Sequence, residues 1–314
     1  MSTEHDWPVP QRPMGIFAIY RATARLVART APRGLAAAIV LIVPCYLLLG
    51  GAMHAFFLDA ARIVSEHGSD LSELTPQSLG DVTGSFAFAG LTGLLLALAS
   101  SVAQLATTVE SWDRAVGVGR GIGGWLRRLT GRPLAMMLAQ VIVLLLVVSV
   151  ILFAYLLLST VLRAAGPGME DIALFAAMAA LVYFGVATVF RLHEIVADDR
   201  GPWRSLLSSM ALVRGYFWKV LAALLPLAAV LIAGSEAISP SIDTIDINDA
   251  TSIVTGYRAM ASAFTPERSL LLGILSAVAQ FLLTNLLTAQ YVDLRARRGD
   301  FDYDEAEVIE GAME

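Results

Sequence analysis

The 314-residue chain is 57% hydrophobic and only 16% charged, with a mean hydropathy of +0.68; a soluble domain carries roughly 25% charged residues, so the composition speaks for a membrane protein. A net charge of −5 offers no electrostatic footprint for nucleic acid. The single cysteine, Cys45, lies in an apolar run and can make neither an internal disulfide nor a thiolate metal cluster.

Residues 1–13 are polar and proline-rich and are expected to be disordered. Met14 to Thr30 then shows helical periodicity, with Ile16, Ile19, Tyr20, Thr23, Leu26 and Val27 on one face and Arg21, Arg25 and Arg29 on the other. Such a helix suits the headgroup plane, apolar side down and guanidinium groups toward phosphates. Packing of the same face on the protein's own spans is the alternative. The first apolar run is too long for a signal-peptide core and follows a basic segment, so no cleaved leader is expected.

Six apolar runs are each long enough to cross about 30 Å of hydrocarbon. They cover about 35–57, 85–108, 133–162, 172–190, 220–238 and 270–292. Pro44 should kink the first and Pro226 should break the fifth. An acidic, turn-rich stretch, 58–84, separates the first two, and Thr75-Pro76 could cap a short helix in it. In the second run, Ala89, Gly93, Ala97 and Ser101 form a small-residue stripe suited to close helix packing. A short turn makes the third and fourth runs antiparallel neighbours.

Basic segments recur at 110–132 and 203–219. The first holds Arg127 and Arg128, and its Gly119, Gly121 and Gly124 match a dinucleotide-binding spacing. That fingerprint needs a strand before it, and apolar spans flank it here, so a packing or turn role is favoured. The second segment holds Arg204 and Arg214, and Trp203, Leu206, Leu207, Met210 and Val213 lean to one side. Residues 239–268 form the longest of the other loops, with a surface helix expected from Asn248 or Asp249 to Phe264. The tail, 300–314, is acidic.

Eighteen of the 22 basic residues fall on one set of loops, in the terminal, 109–132 and 191–219 segments, and four on the other set. The positive-inside rule then places both termini in the cytoplasm. The expected fold is an all-α membrane protein with six transmembrane helices and three cytoplasmic amphipathic helices. Each amphipathic segment precedes a pair of spans, which suggests a threefold helix-plus-hairpin repeat; such repeats can frame a central site or simply duplicate packing.

Ionisable groups avoid mid-membrane depth, which makes a proton-coupled transporter hard to build. The deep polar groups are Gln104, Gln140, Gln280 and Asn285, for which interhelical hydrogen bonding is the plain reading. Charges gather instead where spans end: Glu110, Arg191, Glu194, Asp293 and Arg295. Asp293 and Arg295 point to different sides of a helix, so each needs a partner elsewhere, and a boundary ion-pair layer is expected. His193 lacks companions at ligand spacing. Lys219, at the mouth of the fifth span, is explained by snorkelling. No serine elbow, H-E-x-x-H, Walker lysine or Cys/His set occurs, so no catalytic residue, metal or cofactor is expected.

Two phrases carry a resemblance: VADDRGPWRSLLSSMALVRGYFWKVLAALL and YVDLRARRGDFD. They resemble the membrane domain found in some glycerophosphodiester phosphodiesterases and in stand-alone bacterial multi-pass proteins. The positions that match are Glu194, Arg204, Ser205, Arg214, Gly215, Phe217 and Trp218, then Tyr291, Asp293, Leu294, Arg295 and Arg297. In that family phosphodiesterase activity belongs to a separate barrel of some 240 residues, for which this sequence leaves no room. The resemblance therefore implies a non-enzymatic module of the bacterial inner membrane. Binding of membrane lipids or of a protein partner, possible as a homo-oligomer, in envelope maintenance is the leading expectation. A transporter or permease for a small or amphiphilic substrate is the alternative.

Overall fold

The computed structural model describes residues 9, 10, 12–67, 76–165, 169–238 and 250–299. The expected disordered N-terminus, the acidic tail and the middles of the acidic loops lie outside these, apart from a few N-terminal positions. Among the described residues there is no strand, and six helices are long and apolar enough to cross a membrane. The protein is an all-α, multi-pass membrane protein.

The helices run α1 (Ile16–Thr30), α2 (Ala36–His67), α3 (Pro76–Ala115), α4 (Ile122–Leu129), α5 (Arg132–Ala165), α6 (Met169–Ala187), α7 (Arg191–Asp198), α8 (Pro202–Val213), α9 (Phe217–Ile238), α10 (Ala250–Ala263) and α11 (Pro266–Arg298). The three basic amphipathic segments are α1, α4 and α8, each followed by two long helices. The additional short helices α7 and α10 interrupt that period. The expected surface helix in the longest loop is α10.

Several boundaries differ from the sequence reading. Residues 31–35 form a π turn that joins α1 to α2 without a break. Pro32 has no N–H to give, and the wider turn accommodates its ring. Pro76 opens α3 itself, so the helix expected to start at Thr75-Pro76 is continuous with the second span. Pro226 lies inside an unbroken α9, as Pro44 does in α2. The 110–132 segment is not one helix. Its start belongs to α3, which stops where Gly117 takes φ +78°. Val118 N–H then bonds to the Asp113 carbonyl at 2.7 Å, and Gly117 N–H to that of Arg114 at 3.3 Å. This is a Schellman stop, and it needs a residue that tolerates the left-handed region.

The chain forms two compact units. The first comprises Met1–Arg33, Leu105–Leu225 and Leu282–Glu314, and the second Gly34–Gln104 and Pro226–Phe281. In the second unit, α2 and α11 approach closely. A side chain at Gly273 would come within 3.0 Å of Tyr46 Cβ and 3.2 Å of the Val43 backbone, and one at Gly50 would collide with Ser269. Ser276 donates to Tyr46 Oη at 2.8 Å, and His54 Nδ1 donates to the Ala261 carbonyl at 2.8 Å. Phe57 stacks on Tyr257 and Phe264. The stripe on α3 is not the close contact: Ala89 is buried, but Ala97 is exposed and Gly93 only reaches Leu49.

The first unit is built on the end of α11. Thr284 through Leu294 is buried without interruption, polar residues included. On α5, by contrast, Ile142, Leu146, Val150, Phe153 and Leu157 are exposed. That inversion suits a chain whose solvent at this level is hydrocarbon, so that apolar side chains can face outward and polar ones need internal partners.

Candidate functional site

Tyr291 on α11 is fully buried. Trp112 meets it edge-on at 5.5 Å, with Phe190 at 5.9 Å and the His193 ring at 5.2 Å. His193 Nε2 hydrogen-bonds Thr288 Oγ1 at 2.9 Å. One turn deeper, Asn285 Oδ1 accepts from Thr30 at 2.9 Å and from Ser111 at 3.0 Å, so one side chain ties α1, α3 and α11 together.

Charged groups lie above this polar core. Asp293, 1% exposed, pairs with Lys219 and with Arg297 at 3.1 Å, and accepts the Met14 N–H at 2.5 Å. Lys219 is thus an internal partner rather than a snorkelling side chain. Arg295 pairs with Asp198 at 2.8 Å and lies over the Tyr291 ring at 5.7 Å. Glu194 is held by Arg200 at 3.0 Å and by Ser208 at 2.7 Å. Glu110 takes Arg114 at 3.1 Å and Arg33 at 3.5 Å. Asp113 takes Arg128 and, at 3.2 Å, Arg120. Of the five residues expected in a boundary layer, Glu110, Glu194, Asp293 and Arg295 have ion-pair partners. Arg191 reaches only the Thr188 carbonyl, at 3.3 Å, and meets no carboxylate among the described residues. The pairs join α3, α4, α7, α9 and α11 within the first unit. Asp113, Asp198 and Lys219 complete the layer, and sequence gave no sign of which basic side chain each acidic group would meet.

The deep amides separate by unit. Gln280 donates to the Ser100 carbonyl at 2.5 Å, and Gln104 is half-buried, both in the second unit. Gln140, in the first, donates to Ser205 at 2.9 Å.

The seven arginines read as headgroup-facing fall into two groups, one internal and the rest exposed. Arg128 is an internal group, donating to Asp113 and to the Val196 carbonyl at 2.7 Å. Arg21, Arg25, Arg29, Arg127, Arg204 and Arg214 are exposed, with no ion-pair partner among the described residues. Most of the apolar face of α1 packs inside the protein. Ile19, Ala22 and Leu26 are buried in the protein, and Tyr20 donates to the Ala223 carbonyl of α9 at 2.8 Å. Its arginine row stays outward, beside an exposed Phe17.

The third amphipathic helix, α8, is rotated from the expected orientation. Ser205, Leu206, Ser209, Leu212 and Val213 are buried, while Trp203 and Leu207 are exposed. The three serines decide this. Ser205 accepts from Gln140 of α5, and Ser208 donates to Glu194 of α7. Ser209 donates to the Ala187 carbonyl at 3.0 Å and accepts the Phe190 N–H at 3.1 Å, and so closes the break between α6 and α7. A hydropathy pattern ranks these serines as polar and sends them outward; their partners lie on other helices.

Two open clefts flank α8. One, of about 860 Å³, is lined by Glu194, Asp198, Arg200, Arg204, Arg295 and Arg298, with Leu207, Ala211 and Leu212. The other, of about 750 Å³, is lined by Tyr183, Met210, Arg214, Phe217 and Arg298, among others. Among the described residues no three His, Cys, Asp or Glu side chains converge as a metal-binding set. The arrangement is suited to holding an anion beside an apolar surface. Set against protein-family models, curated proteins and solved structures, the chain has no match.

Proposed function

We propose that this is a non-catalytic, multi-pass protein of the bacterial inner membrane, with both termini cytoplasmic, that binds membrane lipids through its basic amphipathic layer. The observation that supports it best is the set of exposed arginines with no carboxylate partner among the described residues. They lie on α1, α4 and α8 and just past the end of α8, in a protein whose other basic groups are mostly paired internally. Phe17, Trp203 and Trp218 are exposed among them. Guanidinium groups beside aromatic rings are the pattern expected at a headgroup boundary, where phosphate meets acyl chain. The eighteen-to-four partition of basic residues supports the orientation. Membership in the membrane-domain family that the 194–218 and 291–297 phrases resemble, and service in envelope maintenance, are parts of the same proposal.

The test is native mass spectrometry of the protein purified in mild detergent. Co-purified phospholipid is the expected result. A protein that retains no lipid, yet gives substrate-dependent flux in liposomes, would replace this reading with that of a transporter. A stoichiometric protein companion in place of lipid would assign the basic layer to a partner.

A further inference from the structure

We infer that the paired clefts around α8 form a specific site for one anionic phospholipid, its phosphate held by Arg214 and Arg298 in the cleft that Tyr183 lines, with Arg204 adding positive charge from the adjoining cleft, and an acyl chain running down α6. The inference rests on the lipid-binding reading and narrows it to a place and a headgroup class.

Five arginines line the two clefts, Arg200, Arg204, Arg214, Arg295 and Arg298, against two carboxylates, Glu194 and Asp198. The carboxylates are already engaged. Arg200 pairs with both, and Arg295 pairs with Asp198. Among the described residues three guanidinium charges remain uncompensated. Arg204 and Arg214 have no hydrogen-bond or ion-pair partner among the described residues, and Arg298 reaches only the Ala211 carbonyl. Uncompensated arginines on a concave surface favour phosphate, whose oxygens can accept two parallel N–H bonds from one guanidinium.

The apolar lining identifies the rest of the ligand. Leu207 and Ala211 line the first cleft, and Met210 and Phe217 the second. Tyr183 stacks on Phe217 at 5.5 Å and marks the mouth of α6. From there Val182, Met178 and Phe175 continue an exposed apolar track along α6. A water-soluble phosphate would leave that track unused, whereas a phospholipid covers both parts. The lipid should be anionic, because a zwitterionic headgroup brings its own cation to a site that already holds a surplus of positive charge.

Full-length protein, delipidated in detergent, is titrated with phosphatidylglycerol or phosphatidylcholine and read by native mass spectrometry. Arg204→Gln/Arg214→Gln is compared with Arg21→Gln/Arg25→Gln. Among the described residues none of these four side chains has a partner, so both variants should melt with the wild type. The expected result is a preference for phosphatidylglycerol that falls by roughly tenfold or more in the α8 variant alone, from about 1 kcal/mol per basic residue near an anionic surface. Equal weakening in both variants would leave the lipid-binding function standing and remove this site. No lipid bound either by the wild type or after Asp300, Asp302 and Asp304 are changed to Asn would remove both. Equal binding of phosphatidylcholine, or displacement of phosphatidylglycerol by millimolar inorganic phosphate, would overturn the lipid assignment. Binding seen only after Asp300, Asp302 and Asp304 are changed to Asn would make the acidic tail the occupant instead. A photoreactive phosphatidylglycerol supplies the second measurement: cross-links should map to residues 203–217 or to α6, and cross-links confined to other helices count against the site.

Discussion

Asp293 shows how one side chain can hold the ends of several helices. It is 1% exposed and receives Lys219, Arg297 and the Met14 N–H. Removing one member of a buried charge group leaves the others without compensation. Because Lys219 and Arg297 keep some access to solvent, Asp293→Ala should cost about 1–3 kcal/mol. Thermal unfolding in detergent should show a lower Tm, with Asp293→Asn in between, and an unchanged Tm would show that the layer is decorative. Ser209 makes a second case. Its hydroxyl satisfies the Ala187 carbonyl and the Phe190 N–H where α6 gives way to α7. Ser209→Ala should destabilise by about 1–2 kcal/mol, since buried backbone groups lose their partner. Arg25→Ala, on an exposed row, should leave the melting temperature unchanged. The acidic character of Asp293 and its need for a partner are legible from its place at a span end. That the partners are Lys219, 74 residues away, and a backbone N–H, 279 residues away, is not.

At the scale of elements, the close contacts fall at glycines that sequence spacing did not single out. The four-residue stripe on α3 predicts a packing face, but α2 and α11 meet at Gly50 and Gly273. A small residue is permissive, and only the neighbouring helix decides which permissive site is used. Gly273→Leu must displace the Tyr46 side chain or part the two backbones, so it should reduce stability by a few kcal/mol through overpacking. A variant that expresses and melts like wild type would argue against that helix approach. Gly215 makes a separate demand. It ends α8 at φ +88° with open space around it, so Gly215→Ala should cost about 1 kcal/mol by backbone strain alone. The amphipathic helices were legible as elements, and so were the two faces of α1, yet the buried face of α8 was not. On α8 the serines turn inward because a protein packed in hydrocarbon must satisfy polar groups internally, and the surrounding helices supply both donors and acceptors.

For the whole molecule, charge distribution sets a topology that can be tested directly. With Cys45→Ala as background, single cysteines at Arg127 and at Arg62 should differ in reactivity toward an impermeant maleimide. Arg62→Cys should label in cells with a permeable outer barrier, and Arg127→Cys only after the membrane is opened. The reverse pattern would invert the orientation. The sequence by itself determined that this is an all-α membrane protein with six helices long and apolar enough to span, that basic segments alternate with pairs of apolar helices, and that charges avoid the apolar runs. Each of these follows from transfer free energies summed over neighbouring residues, which need no tertiary information. The tertiary structure alone decided that the second half of α11 is the buried core of one unit. It also decided that Arg128 and Lys219 turn inward while Arg204 and Arg214 meet no partner among the described residues, and that the α8 clefts exist. These depend on which helices are brought side by side, and a charged side chain does not encode its partner: the same arginine is a headgroup contact or an ion-pair member according to whether a carboxylate from another helix lies within reach.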